Sequence, residues 1–292
     1  MCKDCGCSIT ANHHMHGHTH VDEFGREYTH VHDHDHDGET HPHESGHHHH
    51  DHGYQHGHSH EHQHAHEQLH HNPQLNDAKT IEVITKILDK NDHEAAHNRA
   101  HFDDHGVLAV NLMSSPGSGK TTLLEKLAGM APFRFGVIEG DLETNRDADR
   151  LKAKGITARQ IQTGSACHLD AFMVHKALHD LPLDDLDVCF VENVGNLVCP
   201  ASYDVGSHLN IVLVSVPEGN DKIAKYPVMF RAADLVLITK TDLLPYFDYD
   251  IESEKKEARR LKPNVDILEV NIHDDASIKR VADWIAFKRE MR

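Results

Sequence analysis

Aromatic residues are scarce in this chain of 292 residues: Phe, Trp and Tyr make up 5 % of it, with one tryptophan. Basic residues are few as well, 29 Lys and Arg against 47 Asp and Glu, which sets the net charge at −18. Nothing resembles the basic patch that nucleic acid requires. No apolar run reaches the eighteen or so residues of a membrane span, and the first residues lack the apolar segment of a secretory signal. The expectation is a cytoplasmic protein with neither nucleic acid nor membrane as a partner.

Apolar periodicity is missing from Met1 to about Gln74, where most of the 33 histidines lie. Such a segment buries too little apolar surface to offset its ordering entropy, so it is expected to be disordered without metal. Only His47–His50 forms an uninterrupted run of the kind used as a purification tag. Elsewhere Asp, Glu, Gly and Gln intervene, which fits a metal-buffering tract that binds cations more tightly as imidazoles lose protons. Four regions follow: a Cys motif over 1–10, a His-rich tract over 11–75, a helical lead-in over 76–105 and a globular domain over 106–292.

Ile81, Ile84, Ile87 and Leu88 recur at helical spacing and predict a helix over 77–104. His93, His97, His101 and His105 follow at i, i+4 intervals, where two imidazoles could share a metal. Arg99 and nearby carboxylates favour the plainer reading, a solvated face. From 107 onward short apolar runs alternate with helical patterns. Strands are expected at 107–113, 135–139, 158–162, 188–192, 211–216, 235–239 and 266–270. Helices are expected at 121–129, 166–179, 222–232, 250–261 and 276–289. This alternation implies a doubly wound α/β domain with a mostly parallel sheet.

Ser114-Ser115-Pro116-Gly117-Ser118-Gly119-Lys120-Thr121-Thr122 lies between a strand and a helix and has the pattern of a phosphate-binding loop, with Ser114 in place of the first glycine. Small residues let backbone N–H groups close around phosphate oxygens. Lys120 would neutralise the β- and γ-phosphates and Thr121 would ligate Mg²⁺. Asp141, after the second strand, and Glu192, ending an apolar strand, could complete the magnesium shell. At Thr239-Lys240-Thr241-Asp242, Asp242 would accept from guanine N1–H and N2–H while the Lys240 stem covers the base, which favours GTP. No glutamine or arginine finger is visible near Glu192, so intrinsic turnover is expected to be slow.

Six cysteines are present. Cys2, Cys5 and Cys7 are too closely spaced for a bridge and well placed for one ion. With the terminal amine they could offer the square-planar set that Ni²⁺ accepts. Cys167 and His168 are expected in the first turn of a helix, where a thiol's pKa falls. Cys199 stands only seven positions after Glu192, so a loop that senses the γ-phosphate would move it. Cys167, His168 and Cys199 suit Ni²⁺ or Zn²⁺. Cys189, inside an apolar strand, reads as a core residue. Together these features describe an NTP-driven handler of a transition metal, with nickel the favoured ion.

From about Asn76 onward the chain resembles the hydrogenase nickel incorporation GTPases. The resemblance rests on 114–124, on 166–171, on 192–201, on Glu218–Phe230 with its Lys225-Tyr226-Pro227 core, and on the N-terminal Cys-x-x-Cys-Gly-Cys. It implies a P-loop GTPase of the SIMIBI class that dimerises with GTP, a tight nickel site at Cys2, Cys5 and Cys7, and a weaker nickel or zinc site at Cys167, His168 and Cys199. It also implies transfer to a hydrogenase large-subunit precursor with a partner nickel metallochaperone, and a lysine, Lys222 or Lys225, reaching the other subunit's nucleotide. Thr239 stands where that family carries Asn. Two alternatives remain: a nickel-storage protein with a secondary GTPase domain, and a urease-type nickel-insertion GTPase.

Overall fold

The computed structural model describes residues 16–21, 27–32, 78–141 and 146–292. Cys2, Cys5 and Cys7 lie outside these residues. Within the tract expected to lack order, β1 (His16–Val21) and β2 (Glu27–His32) form an antiparallel pair in which His18 faces His30 and Thr19 faces Thr29. Thr and Val interleave the histidines there at a strand's period of two. A lone two-stranded ladder is marginally stable in water.

The globular body begins with α1 (Ala78–Asp104), followed by β3 (Leu108–Ser114), α2 (Lys120–Leu127), β4 (Phe135–Asp141), α3 (Arg146–Ala153), β5 (Thr157–Gln162), α4 (Ala171–Leu178) and β6 (Val188–Glu192). Then come β7 (Leu209–Ser215), α5 (Lys222–Lys225), α6 (Pro227–Ala232), β8 (Leu235–Thr239), α7 (Ile251–Leu261), β9 (Asp266–Val270) and α8 (Asp275–Glu290). Seven strands make one sheet in the order β5-β4-β6-β3-β7-β8-β9. Every neighbour in it is parallel, so the sheet expected to be mostly parallel is wholly so.

Burial explains the strand compositions. β3, β6 and β8 are buried along their whole length, as parallel strands covered on both faces must be. Alternate residues of β3 point to opposite layers. Leu108, Val110 and Leu112 join a cluster with Leu123 and Leu127 of α2, Leu151 of α3 and Ile285 of α8. Ala109 packs with Phe102 of α1 and Val174 of α4. The α5–α7 helices cover the second face farther along, through Ile223, Phe230 and Ala258.

Besides α3, which is not among the expected helices, three local results differ from the expected elements, each for a physical reason. The helix expected at 222–232 is broken at Tyr226, just before Pro227, because proline lacks an N–H and disfavours helical geometry in the residue before it. The helix expected from 166 starts at Ala171, where the Asp170 side chain caps it by accepting from Met173 N–H at 2.7 Å. In α1 the apolar set is only partly used: Ile84 is buried and Leu88 half-buried, while Ile81 and Ile87 are exposed. Its buried stripe continues through Asn91, Ala95, Asn98 and Phe102. The two asparagines dock α1: Asn91 accepts from Ala171 N–H at 2.9 Å and donates to the Asp204 carbonyl at 2.8 Å, and Asn98 donates to the Ala171 carbonyl at 2.8 Å.

Candidate functional site

The sheet's carboxyl edge gathers Ser114, Glu139, Asp141, Glu192, Ser215 and Thr239. This edge, where strand order reverses about β3, is where doubly wound sheets bind ligands. The phosphate loop spans the gap from β3 to α2. Gly117 has φ 75° and Gly119 φ 102°, with Gly119 serving as the helix N-cap. These left-handed conformations suit glycine alone at low cost and turn the first N–H groups of α2 toward one pocket.

That pocket has a volume of ≈ 360 Å³ and is lined by Gly117, Lys120, Thr121, Thr122, Asp141 and Glu192, among others. Lys120 Nζ donates to Ser114 Oγ at 3.0 Å, and Thr121 Oγ1 donates to Glu192 Oε1 at 2.7 Å. Burial pushes the Lys120 ammonium down and the Glu192 carboxyl up, each opposed by the charge of the other. Glu139, facing Glu192 across β4 and β6, has its carboxyl pushed up to about 8 by burial and then by Glu192 and Asp141. Glu139 Oε2 and Glu192 Oε2 are buried without hydrogen-bond partners. Two such oxygens beside a hydroxyl form a hard donor set that fits a small divalent cation.

Sequence reasoning selected Asp141 and missed Glu139, although both line this pocket. The missed signal was a carboxylate in the middle of an apolar strand. Two further groups were overlooked. Arg150 also lines the pocket, but it is engaged by Glu125 at 2.8 Å and Asp147 at 2.7 Å. Glu218 accepts from Ser118 Oγ at 2.7 Å, from Ser115 Oγ, and from Ser215 N–H at 2.9 Å. Burial raises its pKa, but the bonds from Ser115, Ser118 and Ser215 outweigh this and hold it low. Ser215 and Glu218 form a capping box, a pattern readable as S-x-x-E. Here the same carboxylate fastens the phosphate loop.

The segment expected to read the base is tied to that loop directly. Thr239 Oγ1 donates to the Ser118 carbonyl at 2.8 Å. Lys240 follows with φ 58°, the only non-glycine with positive φ among the described residues. Asp242 Oδ1 is buried and has no hydrogen-bond partner, leaving an acceptor of the kind that guanine N–H groups satisfy.

On the second face of the sheet, Cys167 Sγ lies 2.9 Å from Cys199 Sγ and 3.7 Å from His168 Nδ1. One ligand atom from each of the three residues lies within 4.8 Å of the others. The sulfur separation is far beyond a disulfide bond, and the cysteines are free. The His168 ring stacks on Tyr203 with centroids 3.9 Å apart, and burial lowers its pKa, which favours the neutral, ligating imidazole. Cys167 lies before the N-cap of α4. It is therefore not in the first turn of that helix, where it was expected. Cys189 is fully buried in β6 with its thiol pushed up to about 12 by burial.

The segment from Glu192 to Cys199 connects both sites. Asn193 Oδ1 accepts from Leu169 N–H at 3.0 Å. Asn196 donates to the Cys167 carbonyl at 3.2 Å and accepts from Val198 N–H at 2.8 Å. A Cβ on Gly195 would stand 2.9 Å from Pro116 Cα, so only glycine allows this segment to lie so close to the phosphate loop.

Residues 108–269 match the family described as the CobW/HypB/UreG nucleotide-binding domain. Among curated proteins, the hydrogenase/urease maturation factor HypB of Helicobacter hepaticus is 52 % identical over 227 residues, covering 76 % of this chain and 93 % of that protein. The chain belongs to the HypB family. The hydrogenase maturation factor HypB of Escherichia coli K12 is 44 % identical over 223 residues, covering 75 % of this chain and 76 % of that protein. The crystal structure of HypB from Helicobacter pylori in complex with nickel superposes with a TM-score of 0.68 at 47 % identity, covering 69 % of this chain and 96 % of that one. Archaeoglobus fulgidus HypB superposes with a TM-score of 0.65 at 35 % identity, covering 69 % of this chain and all of that one. As a HypB-family member this chain carries a P-loop GTPase domain.

Proposed function

We propose that this protein is a nickel-binding GTPase of hydrogenase maturation, which couples GTP hydrolysis to the transfer of nickel held as cargo at Cys167, His168 and Cys199. The carrying observation is that Glu192, bonded to Thr121 at 2.7 Å, begins the same short segment that ends in Cys199, 2.9 Å from Cys167. Gly117, Ser118, Gly119, Lys120, Thr121 and Thr122 cradle the phosphates, and Lys240 and Asp242 read the base. Thr121, Glu192 and Asp141, with Glu139, would hold Mg²⁺, which supplies neutralisation of charge on the β- and γ-phosphate oxygens. The chain's own part is to position the nucleotide and to sense the terminal phosphate through Glu192. Cys2, Cys5 and Cys7 form a second, tighter nickel site, the His-rich tract buffers nickel, and Zn²⁺ competes at the thiolate sites. GTP favours a cytoplasmic homodimer, to which Lys222 or Lys225 contributes, and nickel passes to a hydrogenase large-subunit precursor with a partner metallochaperone.

A nickel titration with GDP or a GTP analogue, read by thiolate-to-nickel charge-transfer absorption, tests the coupling. The analogue is expected to change the affinity of the Cys167 site. Identical titrations with both nucleotides and without any would overturn it. A second reading, delivery to urease as well, is favoured by relatives named hydrogenase/urease maturation factors. Measuring which nickel enzyme loses activity in a deletion strain decides between them.

A further inference from the structure

A histidine cluster joins α1 to α4 and shares no residue with the phosphate loop or the Cys167 site. His175 on α4 and His179, the C-cap of that helix, are one turn apart, with their Nε2 atoms hydrogen-bonded at 3.2 Å. Two imidazoles bound at about 2.0–2.1 Å to one ion at a tetrahedral angle hold their nitrogens about 3.3 Å apart. The α4 pair therefore already has the spacing of two ligands to one ion. Across the helix interface, the His101 ring on α1 packs edge-on against His179 with centroids 5.2 Å apart, and His105 lies 5.0 Å beyond it.

The lone pair of His175 is aimed by its surroundings. Its Nδ1 lies 2.9 Å from Asn98 Oδ1 and 3.3 Å from Glu94 Oε1. The Asn98 amide is fixed, because its Nδ2 donates to the Ala171 and Val205 carbonyls at 2.8 and 3.2 Å. Both groups facing Nδ1 are thus acceptors. Nδ1 carries the proton, and Nε2 presents its lone pair toward His179. This is the outer-shell arrangement that orients ligating imidazoles in metal sites. His105 is set similarly, with Nδ1 at 2.7 Å from Asp184 Oδ1.

We propose that His101, His175 and His179 form a further divalent transition-metal site, suited to Ni²⁺ or Zn²⁺, that bridges α1 and α4. His175 and His179 supply the preformed pair. A side-chain rotation brings in His101, and water completes the shell. Imidazole donors without thiolate hold these borderline ions less tightly than a cysteine set does, which suits exchange rather than storage. Binding here is independent of any nucleotide. A role in passing nickel from the His-rich tract, which precedes α1, to the Cys167 site, whose Cys167 precedes α4, rests on the proposed function.

The test uses the full chain carrying Cys167→Ser and Cys199→Ser, with melting followed by circular dichroism as NiCl₂ is added. Imidazoles of the tract bind the ion in folded and unfolded chains alike, so they leave the melting temperature of the globular body nearly unchanged. A site that exists only when α1 packs on α4 raises it. A rise of several degrees is expected, lost when His175→Gln and His179→Gln are added and shifted to about tenfold higher nickel concentration by His101→Gln. Equal metal-free melting temperatures establish that the variants fold. Absence of any nickel-induced rise, its persistence in the His175/His179 variant, or indifference to His101→Gln would each overturn the bridging site. Anomalous scattering at the nickel edge from crystals of the chain provides a second readout. Density between His175 and His179 is expected, and its absence at saturating nickel counts against the proposal.

Discussion

Thr121 and Glu192 share a 2.7 Å hydrogen bond that fastens the end of β6 to the first turn of α2. A hydroxyl donating to a buried carboxylate contributes about 1.5–3 kcal/mol. It also places the carboxylate where Mg²⁺ and the γ-phosphate would be felt. Glu192→Gln keeps the size and can still accept from Thr121, but it removes the charge. GTP hydrolysis is expected to fall by about 10²-fold or more with the fold intact, measured as phosphate release at saturating GTP and Mg²⁺. Turnover equal to the parent protein's would remove Glu192 from the mechanism.

Asn196 links the segment from Glu192 to Cys199 to the cysteine pair by donating to the Cys167 carbonyl. In Asn196→Ala, nickel should still bind the two cysteines, but its affinity should no longer differ between GDP and a GTP analogue. Charge-transfer titration in the presence of each nucleotide checks this. An undiminished difference would place the coupling elsewhere. Gly195→Ala should give the same uncoupling by forcing the segment off Pro116.

Asp242 offers a buried, unpartnered carboxylate oxygen. Asp242→Asn replaces two charge-assisted acceptor contacts to guanine with a mismatched amide. GTP affinity should drop by about 10²-fold. Xanthosine triphosphate, which carries a carbonyl in place of the 2-amino group, should bind better than it does to the parent. Competition binding with the two nucleotides reads the exchange, and an unchanged preference would mean that Asp242 does not contact the base.

Glu139 is protonated in the folded, ligand-free protein at pH values where the unfolded chain has lost that proton, since its carboxyl rises from an ordinary 4.5 to about 8. The folded state binds more protons in this window, so this group's contribution is fully present below pH 4.5 and is lost as pH rises through 8. Glu139→Gln should therefore flatten the fall in melting temperature between pH 6 and 9 and add on the order of 1–2 kcal/mol at the alkaline end, while weakening Mg²⁺-nucleotide binding. Parallel pH profiles for the two proteins would show that Glu139 is not the titrating group.

Much of the site was legible because its chemistry is local. Ser114–Thr122 carries its glycine and lysine spacing within one turn, and Asp242 follows its strand by three positions. Glu139 was not legible, because a carboxylate within Phe135–Asp141 gains meaning only when Glu192 is paired beside it. Glu218 was recognisable as a cap, but its grip on Ser115 and Ser118 joins residues about a hundred positions apart. The α1 face was misjudged for the same reason. Two of the five residues of its buried stripe are asparagines, and those side chains serve partners on α4 and the 204–205 turn.

The sequence alone determined the alternating α/β architecture, the phosphate loop and the presence of soft side chains, since periodicity, glycine placement and residue chemistry act over a few neighbours. Tertiary structure decided which side chains meet. Cys167 with Cys199, Glu139 with Glu192, and His101 with His179 are brought together only by parallel crossovers that lay distant segments along one sheet edge or one helix interface. Such meetings leave no periodic trace in the chain, because the free energy that sets them is the burial of apolar strands and helix faces elsewhere in the molecule.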